Sequence, residues 1–185
     1  MGRGRPVSGP FAHFHRGARP RTFLGSADHI ADGVAPTLDP ERVKALVKQA
    51  AGPGFVLKQV PEPGMRDDEV LIRVRRAGVC GTDVHIYDWD AWAQGRVRPQ
   101  ITVGHEFAGE VVRVGRLVTD VHEGDRVTAE GHIVDGRCLL CRTGNAHVCP
   151  HTKIIGVDRD GCFAEFISMP ATNVWHLDDA TSFDI

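Results

Sequence analysis

From residue 43 onward, short apolar stretches alternate with breaks marked by Gly and Pro. Residues 43–48 (Val-Lys-Ala-Leu-Val-Lys) and 55–60 read as short strands split by Gly52-Pro53-Gly54, and Pro61, Pro63 and Gly64 mark the next turn. Along 70–75, Val70, Ile72 and Val74 alternate with Leu71, Arg73 and Arg75, the period of a strand whose second side turns polar further along. Residues 78–90 suit a loop running into a short helix. Further strands are predicted at 111–114 between Gly109 and Gly115, at 125–128 after Gly124, at 163–169 and at 173–177. Many short strands separated by turn signals predict a mainly β fold with short helices, a barrel or a sandwich. No internal repeat is visible.

Residues 1–42 break this pattern. They carry six Arg, no Lys and five Pro, with little apolar periodicity. Too little apolar surface is available there to offset the cost of ordering the chain, so disorder is expected. An Arg-rich, acid-poor leader also fits an organelle transit peptide, although no amphipathic stripe supports that reading.

Composition narrows the function classes. At 42% hydrophobic and 25% charged, the chain is an ordinary globular sequence. A net charge of −2 gives no reason to expect nucleic acid or an acidic membrane surface. No apolar run reaches the roughly 20 residues needed to span a bilayer, and the start lacks a secretory h-region. A cytoplasmic location is the default expectation.

The candidate chemistry lies in two clusters. The strings Cys80-Gly81-Thr82-Asp83-Val84-His85 and Gly104-His105-Glu106 offer a thiolate, an imidazole and a carboxylate from separate segments. That set suits a catalytic zinc with one position open for water or substrate. Taken alone, a single Cys reads equally well as a small buried hydrophobe, and a single His as a hydrogen-bonded core residue. Downstream, Cys138, Cys141 and Cys149 follow Cys-x2-Cys-x7-Cys in a loop rich in Gly, Arg and Asn. Five cysteines are an odd count and no secretory segment is present, so metal binding reads better than a disulfide framework.

These strings resemble the medium-chain, zinc-dependent alcohol dehydrogenase family. Gly104-His105-Glu106-Phe107-Ala108-Gly109-Glu110-Val111 and Gly124-Asp125-Arg126-Val127 are similar to the superfamily at large. Asp83-Val84-His85-Ile86-Tyr87-Asp88-Trp89-Asp90-Ala91-Trp92 resembles its threonine dehydrogenase branch more selectively, and Gly161-Cys162-Phe163-Ala164-Glu165 also fits. The resemblance covers residues 43 to about 177. It implies a GroES-like β-barrel catalytic domain over 43–185, a catalytic zinc on Cys80, His105 and Glu106, and a proton relay through Thr82 and His85. It also implies NAD as hydride acceptor, L-threonine or a related small alcohol as substrate, and homo-oligomers in full-length members. Plainer readings stand beside these: Glu106 as a surface acid, Thr82 as a helix N-cap, His85 as a solvated surface residue.

The family commonly begins with a Met-Lys-Ala-Leu strand, which Val43-Lys44-Ala45-Leu46 matches with Val in the Met position. A GTG start read as an internal Val would account for this and make 1–42 an upstream extension. No Gly-x-Gly-x-x-Gly occurs, so a Rossmann domain is not expected within these residues and the chain reads as the N-terminal part of a longer enzyme. One departure concerns the lobe. The family places four cysteines there, and the first position is Asp135 in this chain. Aspartate can ligate zinc through oxygen, so a structural-zinc site of Asp135, Cys138, Cys141 and Cys149, softer than one of four thiolates, is one reading, and a mis-formed or empty lobe is the other. Two other readings stay open: a polyol or secondary-alcohol dehydrogenase sharing every zinc residue, and a non-catalytic zinc-binding β-barrel.

Overall fold

A computed structural model describes residues 42–184. The leader expected to be disordered or mis-annotated, 1–42, lies outside the described residues except for Arg42.

The centre of the fold is a long strand, β3. Strand β1 (Val43–Lys48) pairs antiparallel with β2 (Val56–Val60), and β3 spans Glu69–Gly78. Two short helices follow, α1 (Gly81–Asp88) and α2 (Ala91–Arg96). Then come β4 (Ile101–Thr102), β5 (Glu106–Val114), β6 (Arg126–Ala129) and β7 (His132–Ile133). A lobe with α3 (Leu139–Arg142) and a 3₁₀ turn (Ala146–Val148) leads to β8 (Lys153–Ile154), β9 (Phe166–Pro170) and β10 (Val174–His176).

Two sheets carry the architecture, in the orders β2-β1-β4 and β10-β6-β5-β3-β9, with β7-β8 as a small ribbon. The β3–β5 pairing shifts register at Leu71/Ile72 and at Val74/Arg76. Such bulges add twist and bend, and they curl the five-stranded sheet into a half-barrel. The sheets meet along 163–165, where Leu46 N donates to Phe163 O and Glu165 N donates to Lys44 O.

The main core packs Val70, Ile72, Phe107, Val111, Val127, Ile167 and Met169 inside this curl. On the second side of β3, Leu71 is buried with Val43 and Phe166, because β1 covers that end, and the side turns polar further along as expected. The polar face begins only beyond Arg73. A second cluster of Ile86, Val97, Ile101, Val103 and Val157 seats α1. Ile86 is wholly buried, a contribution of about 1.5–3 kcal/mol toward holding the helix in place.

The other end of α1 is held by an unexpected residue. Lys48, at the end of β1, is fully buried. Its ammonium donates to Gly52 O, Gly54 O and Tyr87 O and lies 4.9 Å from the centre of the Trp89 ring. A cation at a helix C-terminus satisfies carbonyls that have no partner within the helix. Among the described residues, no helix is long and apolar enough to cross a membrane.

Candidate functional site

Cys80 is the N-cap of α1, in extended conformation, and Glu106 opens β5. His105 sits in the turn just before it. The donor atoms of Cys80, His105 and Glu106 all lie within 4.8 Å of one another. Two close approaches produce this convergence. Gly78 on β3 pairs in register with Glu106, and a Cβ there would fall 2.8 Å from Glu106 Oε2, so glycine leaves room for the carboxylate. Behind His105, residues 161–163 run along 102–104, with Gly161 N donating to Thr102 O, Cys162 N to Gly104 O and Phe163 N to Val103 O.

Asp83 was missed by the sequence reading. Its Oδ2 accepts the Cys80 N–H at 2.9 Å, reaching back from the third helical position to the N-cap. This corrects the reading of Thr82 as N-cap: Thr82 lies inside the first turn, and the cap is Cys80. Asp83 Oδ1 is 3.6 Å from His105 Nδ1, and both atoms are buried without a hydrogen-bond partner. A carboxylate behind a ring nitrogen is the arrangement that orients a metal-binding imidazole through its other nitrogen. The orphaned pair and the Cys-His-Glu donor set therefore fit a zinc ion.

Thr82 Oγ1 lies 3.8 Å from Cys80 Sγ. His85 sits on the same face of α1, three residues on. Among the described residues, the bond its ring makes is to Asp90 rather than to Thr82, with Nδ1 to Asp90 Oδ2 at 2.6 Å. Cys162 is buried beneath the site; burial, and secondarily the Asp83 carboxylate, push its thiol up to about 12. It is an inert core thiol. A cleft of about 650 Å³ opens beside the donor cluster, lined by His105, Glu106, Phe107, Thr128, Glu130 and His132 among others. Its size and partly apolar lining suit a small molecule.

The second cluster also closes. Donor atoms of Asp135, Cys138, Cys141 and Cys149 lie within 4.8 Å of one another. Asp135 Oδ1 accepts from Arg137 N at 2.9 Å and Cys138 N at 3.1 Å, with Cys141 Sγ and Cys149 Sγ at 3.3 and 3.6 Å. The Cys138 and Arg137 N–H groups hold the Asp135 carboxyl well below the usual carboxylate range. Loss of solvent and the neighbouring sulfurs push the Cys141 thiol up to about 12, while the Asp135 backbone N–H lowers Cys149. So many acidic groups gathered around one anion fit a divalent cation as their partner. His151 Nε2 approaches Asp135 Oδ2 at 3.8 Å, another neighbour the sequence did not reveal.

The curled sheet and the Cys-His-Glu centre define a zinc alcohol dehydrogenase catalytic domain. Residues 66–179 match the alcohol dehydrogenase GroES-like domain, and the chain belongs to that family. It is 57% identical over 133 residues to the L-threonine 3-dehydrogenase of Bacillus licheniformis, covering 72% of this chain and 38% of that protein. Seven further curated relatives, at 47–53% identity, bear the same name. The chain spans 38–43% of the length of these relatives. An Escherichia coli alcohol dehydrogenase solved with NADH is similar at 30% identity and a TM-score of 0.68, over 77% of this chain and 40% of that one. The cobalt- and zinc-bound alcohol dehydrogenase of Pyrobaculum aerophilum matches at 31% and 0.65, over 77% and 43%.

Proposed function

We propose that the chain is the N-terminal catalytic part of a zinc- and NAD-dependent L-threonine 3-dehydrogenase, which oxidises L-threonine to L-2-amino-3-oxobutanoate. The observation that carries this reading is the convergence of Cys80, His105 and Glu106 within 4.8 Å beside the cleft. The likeness to curated threonine dehydrogenases supports the substrate, and the likeness to an alcohol dehydrogenase solved with NADH supports the cofactor class.

Cys80, His105 and Glu106 would hold the catalytic zinc, and Asp135, Cys138, Cys141 and Cys149 a structural one. Zinc, when bound, supplies Lewis-acid polarisation of the substrate hydroxyl. Asp83 accepts the Cys80 N–H and stands behind the His105 ring, so one carboxylate backs both donors. The hydroxyl of Thr82, beside Cys80, can accept the substrate proton while donating its own. His85, further along the same face, takes that proton toward solvent, since its ring is 58% exposed. The 185 residues carry no Gly-x-Gly-x-x-Gly, so turnover belongs to the longer protein, a homo-oligomer in the cytoplasm.

Two measurements test the reading. The purified chain should hold two zinc ions by elemental analysis. Extended by its cofactor domain, it should reduce NAD with L-threonine in preference to sorbitol. Turnover on sorbitol alone would assign the domain to a polyol dehydrogenase instead, and absence of bound zinc would remove the chemistry.

A further inference from the structure

The junction between α1 and α2 holds more than a turn requires. Trp89, the C-cap of α1, adopts left-handed backbone angles (φ 58, ψ 45), uncommon for a bulky residue. It is kept there from two sides, by the buried Lys48 ammonium over its ring and by Gln94 Nε2 donating to its carbonyl. That turn folds the chain back so that Asp90 N meets His85 O, and it sets the Asp90 carboxylate against the His85 ring. The two oxygens have separate tasks. Oδ1 accepts the Ala93 N–H at 2.9 Å and caps α2, and Oδ2 lies 2.6 Å from His85 Nδ1. Trp92, on α2, adds its ring at 6.1 Å from the imidazole.

We infer that Asp90 is the positioning residue of His85: its carboxylate fixes the proton on Nδ1 and leaves Nε2 as the nitrogen that accepts protons. A carboxylate offers no donor, so a bond of this length to a neutral imidazole requires the hydrogen on Nδ1. The Ala93 N–H, and then the His85 ring, hold the Asp90 carboxyl below its usual range, which keeps it an acceptor. A relay needs its receiving nitrogen bare, and without such a partner the two tautomers compete. This inference rests on the proposed role of His85 as the outer member of the relay.

Asp90→Asn provides a sharp test, because asparagine is an equally good N-cap. To cap α2 its carbonyl oxygen must face Ala93 N, which turns its NH2 group toward His85. Nδ1 must then accept, and the proton moves to Nε2. Long-range ¹H–¹⁵N correlation spectra of the chain, recorded above the imidazole titration range, report the tautomer of each of the ten histidines. His85 is assigned by its loss in His85→Gln. The expected result is Nδ1–H in the parent and Nε2–H in Asp90→Asn, with amide spectra otherwise retained. A proton on Nε2 in the parent, or an unchanged tautomer in Asp90→Asn, overturns the inference. In the longer enzyme, Asp90→Asn should lose most of the kcat that His85→Ala loses, a factor of about 10², with zinc content unchanged and no further loss in the double variant. Reversal of the tautomer with kcat intact would leave the positioning standing and bring down the relay role of His85.

Discussion

Gly161 lies against Gly104 so closely that a Cβ on Gly161 would sit 2.1 Å from the Gly104 carbonyl oxygen. The contact is backbone on backbone, so no side chain can yield to relieve it. Gly161→Ala should therefore destabilise the domain by about 1–3 kcal/mol, as overpacking typically does. Urea midpoints measure this. Because Gly104 leads directly into His105, the variant should also release zinc faster to a chelator. A midpoint matching the parent would show that the two segments part more easily than their hydrogen bonds suggest.

Loss of a donor should remove the metal selectively. Cys80→Ser or His105→Ala is expected to lower the zinc content of the chain by one equivalent and to abolish activity of the longer enzyme. Thr82→Ala should keep the zinc and slow kcat by about 10²–10⁴-fold. Since Cys80 and Asp83, not Thr82, cap α1, no loss of helix accompanies that change. Unaltered turnover in Thr82→Ala would remove it from the relay.

The lobe offers a comparison of donors at one position. Carboxylate oxygen is a harder ligand than thiolate, and a soft set favours zinc more strongly. Asp135→Cys should lengthen zinc retention against a chelator, and Asp135→Ala should shorten it. Asp135→Ala also leaves the Arg137 and Cys138 N–H groups without their acceptor. Equal retention in Asp135→Ala and the parent would show that the three sulfurs suffice.

Acid should attack a different point. Glu69 is buried, and burial alone would raise its pKa, but the Arg66 N–H and the Arg159 guanidinium outweigh that and lower it. A carboxyl with a lowered folded pKa adds stability that is complete above its unfolded value of about 4.3 and fades as pH falls through the folded value. Stability should thus decline below about pH 4.3. Glu69→Gln, which leaves Arg159 without its charge partner, should cost about 3 kcal/mol at neutral pH and flatten the acid slope. Denaturation midpoints between pH 3 and 7 give both numbers; an unchanged slope would place the acid sensitivity elsewhere.

What the sequence revealed and what it hid follow from the range of the interactions. The first helix was legible only as a loop running into a short helix over 78–90, and β1 as a short apolar stretch set off by Gly52-Pro53-Gly54. Strands β4, β7 and β8 are two residues each and carry no period to read. The donor residues were legible as residue types at family spacing, yet Asp83 was not, although an acid three positions after a cap is a readable signal. Its second partner, His105, comes from a distant segment, and only the fold brings them together. The burial of Leu71 likewise depends on β1 folding over it. Lys48 was wholly hidden: a lysine at a strand end gives no local sign of an aromatic enclosure.

That enclosure makes Lys48 a clock. The chain has four lysines, at 44, 48, 58 and 153, and Lys48 alone is sealed from solvent. An amine-acylating reagent reaches the others at once, whereas it reaches Lys48 only when β1 parts from the end of α1. The rate at which that one amine is tagged counts the openings of the segment that carries Cys80, Thr82 and His85, without a spectroscopic label or a substrate.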